Sequence, residues 1–250
     1  MKISIRASAL ALALLVAGCS ADEGNNATAA GNKSGPITPI PAPNNADWTQ
    51  IVTQTPEGGV RMGNPDAPVK LVEYASITCP HCAEFSNQGS EPLKTEYVRS
   101  GRVSWEYRPY MVFPTDPGIF MLLRCQPPTA FFQMAEQLYR DNSNWSARVQ
   151  TMTEPQAEQL RTLPPVQQAA AFVDLVGLRE FFRARGMTEA RINSCLANSG
   201  DLDRLTAMTQ RAANEERVTG TPTFLINGEI AQGVGDWGSL EPVLRASLGG

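Results

Sequence analysis

Cys79 and Cys82 stand three residues apart in ASITCPHCAEF, residues 75–85, with Pro80 and the single histidine of the chain, His81, between them. Two thiols at this spacing can form a disulfide, supply part of a metal site, or be inert. With one histidine, a two-histidine zinc site is excluded, and a serine–histidine–aspartate triad would have to use a histidine wedged between cysteines. A cysteine-only zinc site wants a second C-x-x-C, and the sequence has none; the metal expectation is therefore none, with copper held by Cys79, His81 and Cys82 as the rival. The redox reading rests on placement. The pair follows an apolar strand-like run and opens a helix-like one, so it falls at a helix N-terminus. Unpaired N–H groups and the positive end of the helix dipole favour a thiolate there. Pro80 suits a first turn, where its missing N–H costs nothing, and His81 as a donor adds to thiolate stabilisation. Stabilising the reduced form makes the disulfide a stronger oxidant. A substrate thiolate would attack Cys79, with Cys82 as the resolving partner.

The elements that must hold this pair are readable around it. APVKLVEYAS, 67–76, places Val69, Leu71 and Ala75 on one face and Val72 and Tyr74 on the other, which predicts a central strand covered on both sides. Glu73 sits inside it and needs a partner or a proton. The following stretch predicts a helix to Gly101 with a kink or break at Pro92, and RVSWEYRPY, 102–110, predicts a second, parallel strand. From about 115 to 195 the pattern is helical, in short amphipathic pieces, one of them capped by Thr188. Residues 201–218 predict a helix with Leu202, Leu205, Met208 and Ala212 in phase. TPTFLINGEIAQG predicts a hairpin turned at Asn227-Gly228, and a last helix follows with Pro242 expected only in its first turn.

The residues that bear on location lie around residue 19. Lys2 and Arg6 precede the short apolar run Ala9 to Ala17, the pattern of an export signal too short to span a bilayer as a mature helix. The run ends in LLVAGCS, 14–20, and VAGC resembles the bacterial lipobox, which implies lipidation of Cys19; the alternative is an ordinary signal cut after a small residue. Residues 20–47, rich in Asn, Ala, Gly, Thr and Pro, predict a flexible tether. The whole chain of 250 residues carries a formal net charge of −4 without long charge runs, which gives no basic stripe for nucleic acid.

CPHC after a strand, a helical insertion, and then VTGTPTFLING, 218–228, together resemble the DsbA family of thioredoxin-fold thiol–disulfide oxidoreductases, from about residue 58 to 248. The resemblance implies an α/β thioredoxin fold with an inserted α-helical subdomain: a lipoprotein-type signal at 1–18, a tether at 19–47, the first part of the thioredoxin domain at 48–113, the insertion at 114–198 and the second part at 199–250. It implies a cis proline at Pro222, with Thr221 before it free to pair with an extended substrate peptide. Thr in place of Val at 221 departs from the best-known oxidase and is also seen in isomerases. It implies a buried acid at Glu73, with a basic partner expected near Glu106 or Arg108. Further implications are donation of the Cys79–Cys82 disulfide to reduced or misoxidised exported polypeptides, reoxidation by a DsbB-like membrane quinone reductase, no cofactor, and a monomer. The location implied is the periplasm of a Gram-negative bacterium, with a lipid on Cys19 at the outer membrane. A disulfide isomerase or reductase is the alternative, and a copper chaperone the third. The remaining pair, Cys125 and Cys195, is expected to clamp the insertion, in an even count of cysteines beyond Cys19 and an oxidising compartment; two buried free thiols are the alternative.

Overall fold

The computed structural model describes residues 38–249. The signal segment, Cys19 and most of the expected tether lie outside them. Within the described end of that tether, the Ile40 N–H donates to the Ser100 carbonyl at 2.7 Å and the Ile40 carbonyl accepts from Trp48 Nε1 at 2.7 Å.

Six strands form one sheet: β1 (Val52–Gln54), β2 (Val60–Gly63), β3 (Val69–Ala75), β4 (Val103–Pro109), β5 (Thr223–Ile226) and β6 (Glu229–Ile230), in the order β1-β2-β4-β3-β5-β6. β3 is central, as its two apolar faces require, and runs parallel to β4 and antiparallel to β5. The parallel pair is joined through α1 (Pro80–Pro92), the crossover that a parallel connection needs. Pro92 lacks the N–H for a continuing α-ladder, and the chain goes on through a wider π-helical stretch, Leu93–Val98, to a turn at Gly101 with φ +74°.

On one face of β3, Val69, Leu71 and Ala75 join a core with Phe85 of α1 and Leu240 and Leu244 of α10 (Trp237–Ser247). On the other, Val72 and Tyr74 pack with Leu225, Val218 and Ala212 of α9 (Ser199–Asn214). Between β4 and α9 run seven helices: α2 (Asp116–Arg124), α3 (Pro128–Arg140), α4 (Asn142–Gln150), α5 (Glu154–Arg161), α6 (Pro165–Leu175), α7 (Leu178–Arg183) and α8 (Glu189–Leu196). Thr188 caps α8 by accepting from the Arg191 N–H. The hairpin turns through Asn227 and Gly228, both at positive φ, 52° and 90°. No helix among the described residues is long and apolar enough to cross a membrane.

Pro242 departs from expectation. It lies in the second turn of α10, not the first. The carbonyl it leaves without an intrahelical donor is that of Gly238, and both residues are exposed, so that carbonyl is open to solvent.

Candidate active site

The C-terminal ends of β3 and β4 and the N-terminal end of β5 lie side by side at one edge of the sheet. This register places three loops in a row: residues 110–115, residues 76–79, and residues 218–222. Cys79 is the N-cap of α1 and Pro80 is its first residue. The Thr221–Pro222 peptide is cis, and Cys79 Sγ lies 3.3 Å from the Thr221 carbonyl oxygen. Cys79 is 5% exposed and Cys82 fully buried; both are free thiols.

The two sulfurs differ in proton affinity for physical reasons. A hydrogen bond from Cys82 comes first in lowering Cys79, joined by the Thr221 side chain and the N–H groups of Cys82 and His81; against the opposing effect of burial, these bring Cys79 from 9.0 to about 5. Burial first, then the neighbouring Cys79 and Glu73, push the Cys82 thiol up. The pair therefore holds one thiolate and one thiol at neutral pH. His81 contributes its backbone: its side chain is 75% exposed, and its Nδ1 lies 3.9 Å from Glu84 Oε2.

The loop carrying Cys79 is held by a residue that sequence reading passed over. Asp116, at the start of α2, is fully buried. Its carboxylate accepts from Ser76 Oγ at 2.8 Å, Thr78 Oγ1 at 2.7 Å, and the N–H groups of Val112 and Phe113 at 2.9 Å each. Ser76 Oγ in turn accepts from the Cys79 N–H at 3.2 Å. One carboxylate so ties the Cys79 loop to the neighbouring loop, which leaves Val112 and Phe113 49% and 37% exposed. The only local signal is an acid in the first turn after Thr115; Ser76 and Thr78, through which it holds the Cys79 loop, lie 40 and 38 residues away.

Glu73 is 1% exposed, inside the central strand. Burial raises its carboxyl to about 8, against a bond from Trp105 Nε1 at 3.0 Å and with a further push from Glu136. Neither Glu106 nor Arg108 is its partner, which corrects the sequence expectation. The reason is the two-residue period of a strand: Glu73 pairs with Tyr107, and Val72 with Glu106. Trp105 and Tyr107 share the face of Glu73, while Glu106 and Arg108 share the opposite face with Tyr74. There Arg108 donates to Glu106 at 2.8 Å and to the Tyr74 hydroxyl at 2.9 Å. The alternation in RVSWEYRPY could have excluded both residues.

Cys125 and Cys195 are bonded to each other, with Cα atoms 6.1 Å apart and a sequence separation of 70. The bond joins the end of α2 to α8, away from the Cys79 edge.

A family model described as Thioredoxin matches residues 55–245, and the chain belongs to that family. The chain is similar to a protein-disulfide isomerase of Novosphingobium aromaticivorans, with 32% identity and a TM-score of 0.73, over 76% of this chain and 97% of that one. α-DsbA1 of Wolbachia pipientis shares the fold at a TM-score of 0.61 and 19% identity, over 84% of this chain and 94% of that one. A Rickettsia bellii chain provisionally named a protein-disulfide oxidoreductase is 23% identical over 180 residues, 72% of this chain and 61% of that one. The chain thus spans about three-fifths of the length of such curated relatives.

Proposed function

We propose that this protein is a thiol–disulfide oxidoreductase that donates the Cys79–Cys82 disulfide to exported polypeptides. The observation that carries the reading is the asymmetry of the pair: a Cys79 held as thiolate by its neighbours, beside a buried Cys82 that keeps its proton. In the oxidised protein a substrate thiolate attacks Cys79 Sγ. The Cys79–Cys82 bond breaks, and Cys82 takes the electron pair and a proton. A second substrate thiolate then attacks the first substrate sulfur and expels Cys79 as thiolate. Two electrons pass from the substrate dithiol to the protein, and the leaving group of the last step is a weak base, which makes it fast. Val112 and Phe113 on one side and Thr221–Pro222 on the other flank the reacting sulfur, so an extended peptide would lie across Cys79 with its backbone against Thr221.

The protein would work in the periplasm, tethered through a lipid on Cys19, and be reoxidised by a DsbB-like quinone reductase. The leader pattern and the resemblance to the DsbA family support these assignments. Isomerisation is the second reading, favoured by the name of the Novosphingobium relative and by Thr221 before the proline. Equilibration of the Cys79–Cys82 pair with glutathione, alongside oxidation of a reduced dithiol peptide and rearrangement of a scrambled substrate, tests both. An oxidising pair that turns over reduced peptide is expected. A potential near that of thioredoxin, about −270 mV, would overturn the donor role. Rearrangement without net oxidation would favour the isomerase, and copper binding without either activity the chaperone.

A further inference from the structure

Beneath the cysteine pair, Cys82, Ser86 and Ser90 recur every four residues of α1 and so share one face. Ser86, Ser90, Glu73 and Glu136 line a small cavity of about 10 Å³ between α1, α3 and the sheet, at the lower limit of roughly 10–15 Å³ that a water needs. Ser90 Oγ donates to Ser86 Oγ at 3.3 Å. Glu136 and Phe132 also line a second, open cleft of about 540 Å³ on the outer side, together with Lys94. Glu136 is thus shared between the internal space and the surface. Its side chain is 16% exposed and its Oε1 lies 3.0 Å from Lys94 Nζ. That same Oε1 is buried and makes no hydrogen bond of good geometry. Lys94 Nζ donates instead to the other oxygen, Oε2, at 3.2 Å, so the buried Oε1 keeps acceptor capacity beside the cavity.

We propose that Glu136 is the outer station of a proton route that runs from Cys82 and Glu73, through this cavity, to Lys94 and solvent. The proposal rests on the disulfide-exchange reading above. When substrate thiolate opens the Cys79–Cys82 bond, Cys82 leaves as a buried thiolate. Glu73 supplies its carboxyl proton, giving a Cys82 thiol and a Glu73 carboxylate. Glu136 then passes a proton from solvent to Glu73, and the reverse sequence removes the proton when the pair is reoxidised. Groups facing Glu73 fit the direction. Trp105 Nε1 donates to one oxygen, and Tyr107 and Tyr139, whose hydroxyls lie 2.7 Å apart, keep their own protons under burial. Cys82 faces it from α1, and Glu136 from α3, where its charge favours the protonated form of Glu73. Glu91 reaches the route only through Lys94, at 3.3 Å. Glu136 acts through Glu73 and is a positioning residue in this scheme.

The test is the stopped-flow rate at which dithiothreitol reduces the Cys79–Cys82 disulfide, across pH. Glu136→Gln is expected to slow it on the order of tenfold near neutral pH, at the low side of what a positioned proton carrier contributes, and to move the Glu73 ionisation in the rate profile downward. Glu136→Asp, which keeps the carboxylate, is expected to recover most of the rate. In a Glu73→Gln background the Glu136 substitution should change nothing further. Equal slowing in both backgrounds, or none in either, overturns the route. On the unaltered protein, a solvent deuterium isotope effect of about twofold or more is expected on this step, and a value near unity counts against the proposal whatever the variants do. Dithiothreitol reports on the pair regardless of the physiological direction. A null result here removes the route and leaves the oxidoreductase reading standing, while failure to oxidise peptide removes that reading alone.

Discussion

At neutral pH Glu73 keeps a proton that an exposed glutamate has lost. Its carboxyl is raised by burial from 4.5 to about 8, so between those values the folded state binds more protons than the unfolded one. The contribution of a raised group is fully present below its unfolded value and is lost as pH rises through the folded one. Stability is therefore expected to fall between about pH 4.5 and 8 on account of this residue. Glu73→Gln removes the ionisation while keeping an acceptor for Trp105 Nε1. It is expected to raise the unfolding free energy at pH 7 by up to about 3 kcal/mol, an upper figure from the shift of each unit at 1.36 kcal/mol, and to flatten the pH slope in that window. Urea unfolding of both proteins across pH measures this. An unchanged slope would mean that Glu73 titrates like an exposed acid. Cys79 carries the opposite perturbation a short way off, and the coexistence of a protonated acid and an ionised thiol is what separates the two sulfurs chemically.

The helices from α3 to α8 are closed into one loop by the bond between Cys125, at the end of α2, and Cys195 in α8. With its ends separated by 70 in sequence, the cross-link removes roughly 4 kcal/mol of unfolded-chain freedom in the entropy model, an upper value because unfolded chains retain structure. A Cys125→Ala/Cys195→Ala variant is expected to unfold at lower urea by up to that amount and still oxidise peptide, because the bond lies away from Cys79. Loss of peptide oxidation in a folded variant would assign the bond a role at the site. The strength of a signal in sequence follows what fixes each element. β3 is legible because it is apolar on both faces, and the hairpin because Asn227 and Gly228 must adopt positive φ. α9 is legible because its apolar residues keep helical phase. β1 is only three residues long and largely exposed, α4 buries only Asn142 and Trp145, and α2 starts between two prolines; none carries a periodic stripe long enough to read. The site divides in the same way. Cys79, Cys82 and the Thr221–Pro222 step sit in contiguous motifs. Asp116, Trp105 and Glu136 act on partners that only tertiary packing brings near, and no local pattern marks them.

Over the whole molecule, the thiolate couples redox state to folding. In the reduced protein Cys79 ionises at about 5, against 9.0 without the fold. A depressed group gives stability that is present above its unfolded value and is lost as pH falls through the folded one. The reduced form so gains about 3 kcal/mol at pH 7, two units at 1.36 kcal/mol each. The oxidised form has no thiolate and gains nothing from these bonds, but its short closed loop removes about 2 kcal/mol of unfolded-chain freedom in the entropy model, which leaves the reduced form ahead by on the order of 1 kcal/mol at pH 7. Cys82 does not cancel the gain, because burial holds its proton on in the folded state and an unfolded thiol also keeps it below pH 9. Reduction of the Cys79–Cys82 disulfide is then expected to raise Tm near neutral pH by roughly 2–4 °C for a chain of this size. The difference should widen toward pH 9 and reverse toward pH 5, where the thiolate gain is gone and the loop closure remains. The measurement is a pair of calorimetric scans at each pH, with Cys125–Cys195 absent from both samples so that reductant acts on one bond alone. A reduced form that melts with or below the oxidised form at pH 7 would show that the fold does not favour the thiolate. The disulfide would then have no conformational drive to leave for a substrate, and the direction of electron flow proposed above would lose its physical cause.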